Sequence, residues 1–464
     1  MENKLQPVSA GTLDPSFGKQ GVLEFPVPAI SALEPLAILN LPNNKLLVAL
    51  SLVSEEGGIA IARLHENGTF DLEFGENKHG FVEVLFDGLH ESTVWGLTPL
   101  ADGGWLVLGQ YSKLPAEPGF PMDGGLFLVR QRADGSLDAS FGQNGIQLLS
   151  YFTIGYPEGK SAGSIRPAAK IFNAANQVTS GVGVVEQPDG KIVLATNTTN
   201  TAAPIGMSGV VLRLNLDGSY DKTFNKTGYA TIKLAGINHS WSEARGVAVQ
   251  ADGRVLVCGH FARKDFSPLH AFVTRLTSEG RVDTDFNNGQ AVTVFEPKFY
   301  WHTFNAITVR ESDGMIVAVG EARRSEYRKA DGLIVALNPS GSFNLIFNDG
   351  KPLFSDPHHN GVLWRGCRVQ KNGALIVVGI TGNGYVGEEL SAITARYLSN
   401  GTLDRDFNGG QGYTVYLSDQ GFTATKGMAL YEDGRITVNG ISRRFLDDSP
   451  LPIGAGGWVV RYLA

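Results

Sequence analysis

The chain has little sulfur: two cysteines and five methionines among 464 residues. Both cysteines, Cys258 and Cys367, sit in apolar runs, so they are expected as buried free thiols and not as a disulfide. No run of 18 apolar residues occurs, which leaves nothing long enough for a helical membrane span, and no membrane insertion is expected. The opening Met-Glu-Asn-Lys-Leu-Gln-Pro-Val-Ser-Ala lacks an apolar segment, so no secretory signal peptide is expected. That favours the cytoplasm, or release by a route that needs no such peptide. The net charge is −7 and there is no basic stripe, which argues against nucleic acid as a partner. Also missing are a Gly-x-Ser-x-Gly nucleophile elbow, a Walker loop and any paired zinc-type cysteine motif. No catalytic residue is assigned, and no cofactor is expected.

Glycine, by contrast, is abundant, at 58 residues, and much of it is periodic. The signature Gly-x-x-Asp-x-x-Phe, or a close variant of it, starts at Gly11, Gly68, Gly135, Gly218, Gly280, Gly341 and Gly401. Seven evenly spread copies, each with short strand-like runs, point to a propeller or solenoid and to one domain over residues 1–464. Each unit holds four runs; in the fourth unit these are 229–234, 247–250, 254–258 and 272–276. The third run is apolar on both alternations, as in Val255-Leu-Val-Cys258 and Ile316-Val-Ala-Val319, which means it is sandwiched between layers. Between the second and third runs stands Asp-Gly or Asn-Gly in most units, Asn43-Asn44 in the first, read as a two-residue hairpin turn.

The stretches Gly135-Ser-Leu-Asp-Ala-Ser-Phe-Gly and Gln187-Pro-Asp-Gly-Lys-Ile-Val-Leu-Ala195 resemble the bacterial delta-sixty repeat family. The resemblance runs over nearly the whole chain. It implies a β-propeller and carries no general enzymatic assignment. By analogy with WD-type propellers, a blade takes the second, third and fourth runs of one unit and the first run of the next. The chain's last fourth run, Trp458–Ala464, has no successor, and Gly21–Phe25 is a spare first run. The expected architecture is therefore all-β: a seven-bladed propeller with four antiparallel strands per blade, its ring closed by the N-terminal strand. A second regularity agrees. Arg63, Arg130, Arg213, Arg275 and Arg396 each stand eight residues before the signature Asp, and where Ala336 replaces the Arg, Asn344 replaces the Asp. Loss of both together implies a contact, expected as a bidentate ion pair. Arg461 and Asp14, each lacking a neighbour of this kind, are expected to pair with one another.

One face should be constant, with the Arg-to-Phe spacing fixed at 11 residues in the internal units, and the other variable. On the variable side fall the insert 150–180 with Tyr151, Phe152 and Tyr156, the prolines 115, 118 and 121, and the charged loop 321–329. Long loops on a rigid scaffold are where binding usually resides. The segments before the second runs carry His90, Trp95, His239, Trp241, Trp301, His302, His358, His359 and Trp364, with Arg245, Arg365 and Lys426 each just before a Gly. They are expected to ring the channel mouth. Three readings compete for this crown. As a recognition surface for a protein or glycan it would use Trp95, His239, Trp241, Arg245, Trp301, His302, His358, Trp364 and Arg365. As a metal enzyme it would gather His90, His239, His302, His358 and His359 around an ion. As packing, each Trp caps a blade and each His satisfies loop carbonyls. A structural subunit of a larger bacterial assembly is a further alternative; the oligomeric state is open. Asp404-Arg-Asp406-Phe-Asn408-Gly409 fits the start of a calcium loop, but position twelve would be Val415, and Asp is more simply a turn former and Phe core.

Overall fold

The computed structural model describes residues 9–28, 30, 32, 34–52, 57–113, 123–151, 153–155, 183–198, 207–264, 267–324, 329–382, 390–445 and 452–464. The aromatic and proline residues Phe152, Tyr156, Pro115, Pro118 and Pro121 lie outside these, as do Ser325, Glu326, Tyr327 and Arg328 of the charged loop. Among the described residues no helix is long and apolar enough to cross a membrane.

Seven four-stranded antiparallel sheets form the blades. The fourth blade is typical: Trp241–Val249 is innermost, followed by Val255–Ala262, Leu269–Leu276 and Val292–Val294. Its second strand is buried at all eight positions, the both-faces-apolar pattern read from Val255-Leu-Val-Cys258. Burying one such Val or Leu is worth about 1.5–3 kcal/mol. Buried apolar side chains cluster between adjacent blades: Val257, Phe261 and Phe272 meet Val193, Val211 and Phe224, while Phe286, Phe304 and Val335 fill the next gap. The outermost strand of each blade comes from the next repeat, as expected. In the last blade that strand is Val22–Phe25, which pairs antiparallel with Ile453–Tyr462, Val22 opposite Val460 and Phe25 opposite Gly457. Cys258 and Cys367 are buried free thiols.

The signature explains how blades are joined. Its Asp is an acceptor for the N–H two residues on, for example Thr223 N–H to Asp221 Oδ1 at 3.0 Å and Asp406 N–H to Asp404 Oδ1 at 3.0 Å. This turn-forming role replaces the calcium reading, since the other oxygen of Asp404 takes Arg396 Nε–H at 2.6 Å. The Phe is buried in every copy, from Phe17 to Phe407. The Gly lies on the Phe ring of the preceding copy: a Cβ at Gly135 (φ +92°) would come within 2.6 Å of Phe74. This contact is cyclic, because Gly68 meets Phe17 and Gly11 meets Phe407. A positive φ and a ring at contact distance together require glycine there.

The Arg–Asp pairs exist, but not as bidentate forks. Arg275 donates Nε–H to Asp283 at 2.7 Å, its Nη1 donates to Pro339 O in the next repeat, and its guanidinium lies 4.8 Å from the Phe286 ring. One guanidinium thus serves its own turn, its own aromatic ring and the neighbouring blade, and a fork onto one carboxylate would forfeit the inter-blade bond. Arg461 and Asp14 pair at 2.8 Å, and Arg461 Nη1 donates to Glu66 O of the first blade. The hairpins also differ from expectation. Gln250 N–H bonds to Arg254 O at 2.9 Å, so the loop has three residues, and Gly253 (φ +80°) alone is left-handed. Asp252 accepts the Arg254 N–H at 3.1 Å, which holds a type I turn ahead of that Gly.

Candidate functional site

The innermost strands begin earlier than their apolar pattern suggests. Trp95, Trp241, Arg245, Trp301, His302, Trp364 and Arg365 all lie inside them and not in loops. The reason is a β-bulge in each strand. Pairing slips by one residue at Leu36, Trp95, Arg245, Asn305, Arg365 and Lys426, each followed by Ala or Gly. One extra residue breaks the two-residue alternation, so the upstream half of the strand is out of phase with the downstream half. In the third blade the corresponding stretch precedes Gly183 and lies outside the described residues. The bulges put six side chains at one level of successive innermost strands, and these strands contact one another around the ring.

Charge concentrates at this level. Arg245 pairs with Glu243 at 2.6 Å, and His260 Nε2 stands 3.3 Å from the same carboxylate. Burial opposes ionisation of Glu243, but Arg245 and His260 hold its carboxyl down to about 2. On the fifth blade Arg323 pairs with Glu321 at 2.8 Å. On the seventh, Arg443 approaches Glu34 at 3.5 Å. Between them is Arg365, which makes no ion pair among the described residues and whose Nε is buried with no hydrogen-bond partner. Burial, aided by Arg323 and Arg245 and resisted by Glu321, lowers the Arg365 guanidinium to about 10. Burial likewise lowers Lys426 to about 8, with Glu34 opposing the shift and Arg443 and Arg365 adding to it. Arg245 of the fourth blade acts on Arg365 of the sixth, and both act on Glu321 of the fifth. Arg245, Arg365 and Lys426 stand at one level of the innermost strands.

The aromatic candidates divide. Trp95, Trp241 and Trp301 are half-buried, and Trp241 meets His260 edge-on at 5.5 Å. The Nε1 of Trp95 and of Trp241 are buried donors without a partner among the described residues. Trp364 is fully buried between blades: a Cβ on Gly332 of the fifth blade would lie 2.0 Å from its Nε1. The packing reading therefore holds for Trp364, because glycine in the adjoining blade opens a slot that the indole fills.

The histidines do not converge. His302 is fully buried; its Nδ1–H donates to Leu269 O at 3.2 Å and its Nε2 accepts the Glu296 N–H at 3.0 Å. With both nitrogens used by backbone and burial disfavouring the cation, its pKa falls to about 4. It satisfies the loop as the packing reading expects. His239 Nδ1 bonds to Ile237 O at 3.1 Å. His358 accepts the Asn360 N–H at 3.3 Å and lies 4.3 Å, ring centre to ring centre, from the exposed His359. His90 is exposed ahead of the second blade. Among the described residues no group of three or more His, Cys, Asp or Glu could hold a metal.

Sequence reasoning named Arg245 and Arg365 and missed the charged residues at the same level, Glu34, Glu243, His260, Glu321, Arg323 and Arg443. Four of these, His260, Glu321, Arg323 and Arg443, lie on second strands, paired with a bulged neighbour. The one available signal was the recurring residue-plus-small pair (Trp95-Gly96, Arg245-Gly246, Arg365-Gly366, Lys426-Gly427) in phase across repeats.

Residues 187–224 and 250–286 match the profile of a β-propeller domain of unknown function, DUF5122. Each match runs from just before an Asp-Gly turn to the next signature Phe. No curated protein matches the sequence. Among solved structures, a protein of unknown function from Dyadobacter fermentans is 12% identical, with 96% of this chain and 100% of that chain covered and a TM-score of 0.42. Drosophila semaphorin 2a is 9% identical over 98% of this chain and 76% of that chain, with a TM-score of 0.43. An α-L-arabinofuranosidase from Fusarium graminearum is 12% identical over 79% of this chain and 93% of that chain, with a TM-score of 0.41. No activity transfers from similarities this low.

Proposed function

We propose that this propeller is a non-enzymatic recognition module that binds a protein or glycan at the channel mouth on its variable-loop face. One observation carries the reading: half-buried Trp95, Trp241 and Trp301 stand on the bulged innermost strands of the second, fourth and fifth blades, and Arg245, Arg365 and Lys426 on those of the fourth, sixth and seventh, so that Trp241 and Arg245 share one strand. Indole faces beside guanidinium groups offer large contact area with polar handles, the usual composition of binding hot spots. The paired repeat motifs also support placing the chain with the bacterial delta-sixty repeat proteins. The reading needs no cofactor, no nucleic acid and no membrane insertion, and it suits a protein kept in the cytoplasm or released without a signal peptide.

The test is a pull-down and a glycan array with untagged protein, repeated with the double variant Trp241→Ala/Trp301→Ala. Selective capture of one partner, lost in a double variant of unchanged melting temperature, supports the reading. Stoichiometric metal by elemental analysis, lost on replacing His239 and His358, would restore the metal-enzyme alternative in its place. A solution mass well above one chain would instead favour a structural subunit.

A further inference from the structure

The two ends of the ring treat charge differently. On the constant face every described signature Asp meets an Arg or Lys, and five of the six signature Arg donate to a backbone carbonyl of the adjoining repeat. That is what structural charge looks like in this protein. At the level of the bulges the described residues include five cations (Arg245, Arg323, Arg365, Lys426 and Arg443) and three carboxylates (Glu34, Glu243 and Glu321). The carboxylates are already engaged by Arg443, Arg245 and Arg323. Arg365 makes no ion pair among the described residues, and its Nε is buried without an acceptor.

Burying a cation without a counter-ion is unfavourable, and folding alone gives no reason to retain it. A guanidinium presents a planar fork that matches the two oxygens of a carboxylate or phosphate. The Nε of Arg365 is itself a buried donor without an acceptor among the described residues. An oxygen-rich anion would give the Arg365 guanidinium both an acceptor and a counter-charge.

We propose that the channel arc centred on Arg365, flanked by Lys426 and Arg245, binds an oxyanion, the carboxylate or phosphate group of a ligand. This deepens the recognition reading and rests on it for the ligand's identity.

The experiment is calorimetric titration of the full chain at low ionic strength with inorganic phosphate and, separately, with glucuronate. One-site saturation by either is expected, and which titrant saturates tells the source of the acid group. Arg365→Gln should weaken it at least tenfold, and Lys426→Met should weaken it too. Arg365→Gln should melt at or above the wild-type temperature, since it removes a half-buried cation that makes no ion pair among the described residues. Saturation by neither titrant, or equal affinity in Arg365→Gln, overturns the site. If Arg365→Gln still captures the macromolecular partner that Trp241→Ala/Trp301→Ala loses, the recognition reading stands and the oxyanion site falls. If oxyanion binding is intact and no partner is captured, the reverse holds.

Discussion

Replacing Arg461 by Met should loosen the closure of the ring more than any comparable change inside it. Arg461 is fully buried, donates Nε–H to Asp14 at 2.8 Å and Nη2–H to Ser16 Oγ at 3.0 Å, bonds Glu66 O, and lies 4.8 Å from the Phe17 ring. Methionine keeps much of the apolar stem and removes every one of those polar bonds. Breaking a buried pair by removing one partner costs about 3–5 kcal/mol. Asp14 retains the Ser16 N–H and hydroxyl, at 3.0 and 2.7 Å, and has Arg435 at 3.6 Å, which places the loss at the low end. Taking about 3 kcal/mol and an unfolding entropy of about 2.1 cal/mol/K per residue, 464 residues give a fall in Tm of only about 3 °C. Hydrogen exchange is the better assay, because the loss is local. In every other blade the third strand runs on covalently into the outer strand, whereas Val22–Phe25 is held to Ile453–Tyr462 by non-covalent contacts alone. Amides of residues 11–25 and 456–463 should exchange on the order of a hundredfold faster. Arg275→Met, the same chemistry within the chain, should leave them unchanged. A double-mutant cycle with Asp14→Asn should give a coupling of about 1.5–3 kcal/mol. Unaltered exchange in the closing strand, or a coupling below about 0.5 kcal/mol, would refute the reasoning.

Three further outcomes are expected. His302 is neutral in the fold down to about pH 4, whereas unfolded histidine takes a proton near 6.5, so its contribution is complete above 6.5 and lost as pH falls from there to 4; between pH 7 and 5 wild type should lose about 2 kcal/mol more than His302→Gln in urea melts, and parallel losses would contradict this. Gly103→Ala, with nothing within 4 Å of the new Cβ, should cost about 1 kcal/mol from its φ of +85° alone, whereas Gly135→Ala, 2.6 Å from Phe74, should cost about 3 kcal/mol; equal costs would mean the ring contact is unimportant. Trp364→Ala should destabilise by about 4 kcal/mol as a core deletion, while Trp241→Ala should leave the melt nearly unchanged and impair partner binding; the opposite ranking would reverse their assigned roles.

The blade count, the strand order within a blade, the closing strand and the Arg461–Asp14 contact were all legible in the sequence. Each follows from counting one signature around a circle: the Gly needs a left-handed backbone under a Phe ring, and an Arg lost with its Asp betrays a contact. Local rules repeated seven times leave a propeller few alternatives. The site was legible only in part. Its residue types were visible, but a bulge hides its own strand by breaking the alternation, so Arg245 and Arg365 read as loop residues. The sequence also gave no means to tell Trp364 from Trp241, since burial of the first depends on Gly332, which lies 32 residues upstream in another blade. Nor did it show that charges from four blades stand at one level of the ring. Spacing along the chain reports neighbours in a strand or turn, whereas alignment across blades depends on ring geometry, and that is settled only when the last blade meets the first.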